Sequence, residues 1–287
     1  MHTSPEKPHL AGLTCRPARA EDTGDVTALT RTIWDGHDYV PHVWPEWLAD
    51  PFGHLAVAEL DGQVIGLVKL TRFAADEWWL QGLRVDPAFQ GQGVARRLHD
   101  YIVDFWVHNG EGTLRLSSYR PQVRHMCEGT GFTIIGHYGE YAAPALPGEE
   151  LALRRVRKDA LLPGGAWPVY SRFMDVGWTW INVTTTRLNT AAAEGRAWTN
   201  PAGDLWVVRE EADEDGAARL WLEWIACPAP RLAANLQDLR SLGGALGYRQ
   251  VAWSPPLETP ALEALAAAGF ARSWEGFVWL FEQRRGG

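Results

Sequence analysis

Leu83-Arg84-Val85-Asp86-Pro87-Ala88-Phe89-Gln90-Gly91-Gln92-Gly93-Val94-Ala95 joins the end of an extended segment to the start of an amphipathic one. From Val94 to Trp106 the apolar residues recur at 94, 95, 98, 101, 102, 105 and 106, while Arg96, Arg97, Asp100 and Asp104 take the other face, which predicts a helix. Glycines at 91 and 93 permit backbone angles closed to other residues and let a ligand approach the main chain. The first amides of the helix lack an internal acceptor and its dipole adds partial positive charge, so the loop suits an anion such as a pyrophosphate. Two other glycine loops do not fit. A GxxxxGK[ST] loop needs Lys and Ser or Thr after its last glycine, and the third glycine of GxGxxG falls on Arg96, whose side chain obstructs helix-to-strand packing.

Upstream, Leu13 to Arg16 reads as a short strand, followed after Pro17 by a helix carrying Val26, Leu29, Thr30 and Ile33. Trp34 to Phe52 holds three prolines and three tryptophans, too irregular for a long helix and too apolar for a solvated linker, so it is expected to pack over something. His54 to Leu60, the Asp61-Gly62 turn and Gln63 to Phe73 form a predicted hairpin, and Glu77 to Val85 a third strand. Downstream come a strand at Thr113 to Tyr119, a short helix near Gln122 to Glu128, a break at Gly131-Phe132 and a strand around Thr133 to Tyr141. Residues 146–168, rich in Pro and Gly, read as a connector, with one more strand at Leu151 to Val156.

The second half repeats this order in degraded form: strands near Ala197 to Thr199, Leu205 to Arg209 and Leu220 to Ala226, then Pro228, a helix over Leu232 to Leu246, a strand at Gln250 to Trp253 and a short helix ending at Gly269-Phe270. After Pro228 stand Ala229, Pro230 and Arg231, none of which supplies a glycine loop, so this half is expected to hold no cofactor.

The run Leu83-Arg84-Val85-Asp86-Pro87 with Gln90-x-x-Gly93-x-Ala95 resembles the acetyl-CoA signature of the GNAT superfamily of N-acyltransferases, Gln/Arg-x-x-Gly-x-Gly/Ala between a strand and a helix. The resemblance covers residues 13 to 141 in detail. It implies an α/β (α+β mixed sheet) GNAT-like fold in two tandem units, a catalytic domain over 1–145 and a degenerate domain over 169–287. It further implies acetyl-CoA as co-substrate, with Gln90, Gly91, Gln92, Gly93, Val94, Ala95 and Arg96 around the pyrophosphate. Leu83, Arg84 and Val85 would lie along the pantetheine arm and stabilise the tetrahedral oxyanion. The reaction would be acetyl transfer to the amine of a small molecule by direct attack.

An attacking amine must shed its proton, and Glu77, thirteen residues before Gln90 as in the histone-acetylating members, is the candidate base. Strand alternation groups it with Trp79, Gln81, Leu83 and Val85, although a solvated strand-end glutamate beside Asp76 is an equal reading. Where the family often has an acidic tyrosine four residues before Gly-Phe, this chain has Cys127, so Tyr119, Tyr138 or water would protonate the leaving thiolate, or its protonation is not demanding, and Cys127 is either a relay or a buried structural residue. Asp38-Tyr39-Val40-Pro41, Trp47-Leu48-Ala49-Asp50-Pro51 and Gly82-Leu83-Arg84-Val85 also resemble a subgroup that includes histidine N-acetyltransferases. That likeness suggests a free amino acid as acceptor, with Asp38, Tyr39, Trp79 and Gln81 at the acceptor and Arg84, Arg120 or Arg124 available for a carboxylate. A noncatalytic acyl-CoA sensor is the rival reading, and the second unit could serve assembly or pocket closure, leaving monomer and homodimer both open.

Bulk composition narrows the classes. With 287 residues, 46% hydrophobic and 22% charged, the chain is long enough for two globular domains. A net charge of −8 opposes nonspecific association with nucleic acid or anionic membrane. No long apolar run suggests a membrane span, and Met1-His2-Thr3-Ser4-Pro5-Glu6-Lys7-Pro8 lacks a signal peptide's apolar core, so a cytoplasmic location is expected. Cys15, Cys127 and Cys227 form no CxxC pair, and no HExxH or paired-His spacing occurs, so neither disulfides nor a metal are expected. Sixteen tryptophans, spread evenly, read as core fillers.

Overall fold

A computed structural model of the chain describes residues 10–147, 153–157, 172–213, 216–257 and 259–285. The N-terminal octapeptide, most of the 146–168 connector and the start of its expected strand lie outside these residues. The described residues form two compact units, one from within Met1–Leu116, His125–Thr133 and Glu282–Gly287, the other from within Ser117–Arg124 and Ile134–Phe281.

The first unit contains β1 (Thr14–Pro17), α1 (Thr23–Thr30), α2 (Val40–Ala49), β2 (His54–Leu60), β3 (Gln63–Ala74), β4 (Glu77–Val85), α3 (Val94–Asn109) and most of β5 (Thr113–Ser118). At the β2–β3 turn both Asp61 and Gly62 have positive φ, +51° and +84°, as a two-residue hairpin turn with right-handed strand twist requires. Val26, Leu29, Val40, Trp44 and Trp47 of α1 and α2 pack on Leu55, Val57 and Leu67 of the sheet. The segment read as irregular is therefore in part the ten-residue helix α2. Pro41 lies in its first turn, where a missing N–H costs nothing, and burial of three large side chains holds the helix despite Pro45 in its interior. The opposite layer is α3, whose Leu98, Ile102 and Trp106 are buried at helical spacing. A Cβ on Gly66 would lie 2.9 Å from Leu98 Cδ1, so glycine there lets α3 press onto β3.

β4 pairs antiparallel with β3 and parallel with β5. Lys69 opposes Gln81 and Leu67 opposes Arg84, so β4 carries one extra residue between them, and Gly82 sits in this bulge with φ +67°. The bulge breaks the expected alternation. Glu77, Trp79 and Gln81 share a face, but beyond Gly82 that face is continued by Arg84, not by Leu83 and Val85.

α4 (Pro121–Glu128) and β6 (Thr133–Tyr138) follow, then β7 (Tyr141–Pro144), β8 (Arg154–Arg155), β9 (Phe173–Asp175), β10 (Trp180–Asn182), α5 (Thr185–Ala193), β11 (Ala197–Thr199), β12 (Leu205–Ala212), β13 (Ala218–Ala226), α6 (Leu232–Ala245), β14 (Gln250–Trp253), α7 (Thr259–Ala267), β15 (Ala271–Arg272) and β16 (Val278–Arg284). Within the first unit the strands run β1-β2-β3-β4-β5, and within the second β15-β7-β14-β13-β12-β11-β8, while β9 and β10 form a separate ribbon. Both large sheets are mixed, so this is an α/β protein built twice. β13 repeats two features of β4: it runs parallel to its β14 neighbour and has an extra residue, Glu223, opposite the Val207/Val208 step. Trp206, Leu222, Leu236, Leu239 and Trp253 centre its core. Trp44, Trp106, Trp180, Trp221 and Trp224 are likewise buried, the use expected of this residue. Among the described residues no helix is long and apolar enough to cross a membrane.

Candidate active site

The loop after β4 is ordered by its own side chains. Asp86 accepts from the Ala88 amide at 2.8 Å, Gln90 Nε2 donates to the Val85 carbonyl at 3.1 Å, and Gln92 Nε2 donates to the Ala88 carbonyl at 3.1 Å. Gly91 and Gly93 have φ of +73° and +92°, and a Cβ built on either meets nothing within 4 Å. Glycine is thus demanded by backbone angle, and the space above both residues is open. The first bond of α3 runs from the Arg97 amide to the Gly93 carbonyl, which leaves the amides of Val94, Ala95 and Arg96 without an acceptor one turn earlier. No acidic residue occupies this first turn, so the dipole's positive end is not neutralised from within. Arg96 turns back to Asp100 at 2.9 Å, an exposed pair.

β4 and β5 pair only from Glu77↔Thr113 to Trp79↔Arg115. Past that point Leu80 to Val85 keep β3 on one side, and their other edge has no strand partner among the described residues. Backbone donors and acceptors on this free edge lead from Trp79 to the glycine loop.

On the α1–α2 face, Asp38 accepts a bidentate pair from Arg84, at 2.8 Å to Nε and 3.0 Å to Nη2, with the Asp38 side chain 1% exposed. The guanidinium also lies 4.4 Å from the Trp34 ring centre and 5.3 Å from that of Tyr39. Tyr39 stacks on Trp34, meets Trp47 edge-on, and its hydroxyl is held above its usual pKa by burial. Gly82 is needed twice, for its positive φ and because a Cβ would stand 2.5 Å from Trp47 Cη2. This knot fixes the aromatic segment onto the β4 bulge and commits Arg84 to a protein carboxylate, so Arg84 is not open for a substrate's.

Beside the knot, α2, β3 and β4 line an open cavity of about 460 Å³. Its lining includes Trp47, Thr71 and Gln81, together with four charged residues, Glu46, Asp50, Lys69 and Arg72. The Lys69 side chain is 1% exposed and bonds Asp50 at 2.5 Å. Burial holds the Lys69 ammonium below its usual pKa, against the pull of Asp50. Burial also pushes Asp50 up, but hydrogen bonds from Lys69 and from the Phe52 and Gly53 amides outweigh it, and the net shift is downward. Gln81 Nε2 donates to Thr71 Oγ1 at 2.9 Å. Sequence reasoning missed Lys69 and Asp50. The signal was a lysine inside the apolar run Val64-Ile65-Gly66-Leu67-Val68-Lys69-Leu70, where burial forces a partner.

Glu77 is not solvated: it is 2% exposed and accepts from Arg115 Nη1 at 3.0 Å. Arg115 also donates to Glu282 at 2.7 Å, and Glu282 accepts from Arg284 at 2.7 Å. Arg115, between two leucines of β5, is a second buried charge that the sequence displayed and reasoning passed over. Cys127 is fully buried on α4, and burial, reinforced by Glu128, pushes its thiol up to about 12. Tyr119 belongs to the second unit, is 43% exposed and meets Trp274 edge-on at 5.6 Å. Among the described residues no group of three or more His, Cys, Asp or Glu is arranged to hold a metal.

Similarity to known proteins agrees with this geometry. Residues 24–132 match the model of the acetyltransferase (GNAT) family. Histidine N-acetyltransferase of Oreochromis niloticus is 36% identical over 96 residues, which is 33% of this chain and 28% of that protein. N-alpha-acetyltransferase RimI of Mycobacterium tuberculosis is 27% identical over 112 residues, 38% of this chain and 70% of that one. Among solved structures, a tandem GNAT protein from the clavulanic acid biosynthesis pathway has a TM-score of 0.60 at 15% identity, covering 96% of this chain and 99% of its own. A GCN5-related N-acetyltransferase from Sphaerobacter thermophilus has a TM-score of 0.62 at 15% identity, with 96% and 98% covered. These likenesses place the chain among tandem-unit proteins of the acetyltransferase fold. Residues 24–132 therefore carry a domain of the acetyltransferase (GNAT) family, and the chain's fold is that of a tandem GNAT protein. The chain spans little more than a quarter of the histidine N-acetyltransferase it matches.

Proposed function

We propose that this protein transfers an acetyl group from acetyl-CoA to the amine of a small molecule, a free amino acid being the acceptor class that the histidine N-acetyltransferase relatives favour. The observation that carries the reading is the open loop with two positive-φ glycines at the exposed amides of α3, next to the free edge of β4. The residues of 1–145 would be catalytic and those of 169–287 a related domain without cofactor. Gln90 to Arg96 fit the pyrophosphate of acetyl-CoA, through main-chain amides and not through the Arg96 side chain, which pairs with Asp100. Leu83, Arg84 and Val85 would offer backbone to the pantetheine arm, and an amide on the free β4 edge would stabilise the oxyanion.

In the proposed step the neutral amine attacks the thioester carbonyl, a nitrogen–carbon bond forms, the carbon–sulfur bond breaks, and CoA departs as thiolate. Glu77, on the face of Trp79 and Gln81, takes the amine's proton through water, and water returns a proton to the thiolate. A thiol at about 12 is a poor acid, so Cys127 is assigned no role in the step. Asp38 and Tyr39 shape the acceptor wall through the Arg84 knot. One feature favours a noncatalytic acyl-CoA sensor instead: the Glu77 carboxylate is buried and already bonded to Arg115. Titration calorimetry with CoA, run beside an assay of free thiol from acetyl-CoA and amines, separates these readings. One CoA per chain with amine-dependent thiol release is expected; binding without release in any amine leaves the sensor, and no binding ends both.

A further inference from the structure

The cavity beside the β4 bulge holds a charge arrangement that the transfer step does not use. Its volume, about 460 Å³, falls within the roughly 300 to 1,000 Å³ of small-ligand sites. Gln81, which lines it, lies on β4 two residues past the last β4–β5 pair, so the cavity borders the strand edge where the thioester is proposed to lie. Asp50 is occupied by Lys69 and by two backbone amides. Lys69 has three protons to donate and gives one to Asp50; no second acceptor contacts it among the described residues. Arg72 donates its Nε to the Ala74 carbonyl at 3.2 Å and covers the Trp78 ring at 5.2 Å, with no carboxylate partner among the described residues. The cavity thus has a buried cation and an exposed one whose donors are not exhausted, while Glu46 leaves a carboxylate at the rim.

Resting on the N-acetyltransferase reading, we propose that this cavity is the acceptor pocket and that Lys69, assisted by Arg72, selects acceptors bearing a carboxylate: free amino acids, not simple amines. The carboxylate lies against Lys69 and the α-amine points past Gln81 to the β4 edge. Glu46 favours a side chain that donates hydrogen bonds. An amine without a carboxylate leaves the desolvated Lys69 donors facing an apolar filler, which is the physical basis of the discrimination. The competing role for Lys69 is purely structural, a tie between β3 and the end of α2.

The test compares free L-amino acids with the matching L-amino acid amides, which keep the amine and side chain but lose the negative charge. Acetyl-CoA is the donor and released CoA thiol the signal. The wild type is expected to prefer the acid of its best pair by about 10- to 100-fold in kcat/KM, the size of one or two charge-assisted hydrogen bonds. Lys69→Met should bring the acid-to-amide ratio toward one, Lys69→Arg should restore part of it, and Arg72→Gln, at an exposed position where folding is not at stake, should lower it several-fold. Equal use of acids and amides by the wild type overturns the proposal, as does a Lys69→Met protein that loses both equally while Arg72→Gln leaves the ratio unchanged. Silence with every acid and amide, beside turnover of some other amine, overturns the pocket assignment alone; silence with all amines overturns the transfer reading beneath it.

Discussion

Replacing Gly93 with alanine separates a ligand-binding nest from an ordinary turn. At φ +92° an L-residue is strained by about 1 to 2 kcal/mol. The new methyl meets no protein atom within 4 Å, so the fold should survive, with a drop of about 2 to 8 °C in Tm for a chain of this size. The same open space is where the pyrophosphate is proposed to sit. Displacing it from two amides at the start of α3 forfeits two charge-assisted hydrogen bonds of about 1.5 to 3 kcal/mol each, hence at least about 100-fold in CoA affinity. Gly62 provides the control: its φ is +84°, its Cβ also meets nothing, and it lies in the β2–β3 turn. Calorimetric titration with CoA and thermal scans of wild type, G93A and G62A should give similar Tm losses for both variants but weakened binding for G93A alone. Wild-type affinity in G93A would refute the nest.

Four further outcomes are expected. Glu77→Gln should lower kcat about 100-fold near neutral pH with little change in acetyl-CoA affinity, and an unchanged kcat removes Glu77 as the base. Asp38→Ala strands the Arg84 guanidinium among aromatic rings and should cost about 3 to 5 kcal/mol in urea unfolding; a loss within error of zero contradicts the knot. Burial, opposed by Arg209, raises the Asp175 carboxyl to about 8 in the fold from 3.8, so the native state holds its proton more tightly across that window. Its contribution to stability is therefore complete below about pH 4 and is lost as pH rises toward 8. Asp175→Asn should flatten stability over this range, which thermal scans at several pH values would register. Cys127→Ala should leave turnover at the wild-type level, whereas abolished turnover in a folded variant revives the acyl-cysteine relay.

The elements nearest the loop were legible because their signals are local. The Asp61-Gly62 turn, the β4 run and the stripe of α3 each announce themselves within a few residues, and the structure places them within a residue or a turn of the expected bounds. α2 was hidden by Pro41 and Pro45, since its stability comes from burying Trp44 and Trp47 and not from propensity. The strand expected over Thr133 to Tyr141 divides into β6 and β7, and α5, β9, β10 and β16 gave no strong periodic cue. The bulge at Gly82 was equally silent, because an extra residue in β4 is defined by its register against β3, a nonlocal relation. That one residue explains why Arg84 and not Leu83 joins Gln81 on the face toward Asp38. The glycine loop could be read from residue types alone, whereas the partners of Glu77 and Lys69 lie far along the chain or on another element.

The central claim, acetyl transfer from one glycine-loop site per chain, is tested most directly by mass spectrometry of a pool of amino acids and other small amines incubated with acetyl-CoA and the protein. The account predicts at least one N-acetylated small molecule, formed together with an equal amount of free CoA and absent with the G93A variant. Tight acetyl-CoA binding with no acetylated product anywhere in the pool would contradict it.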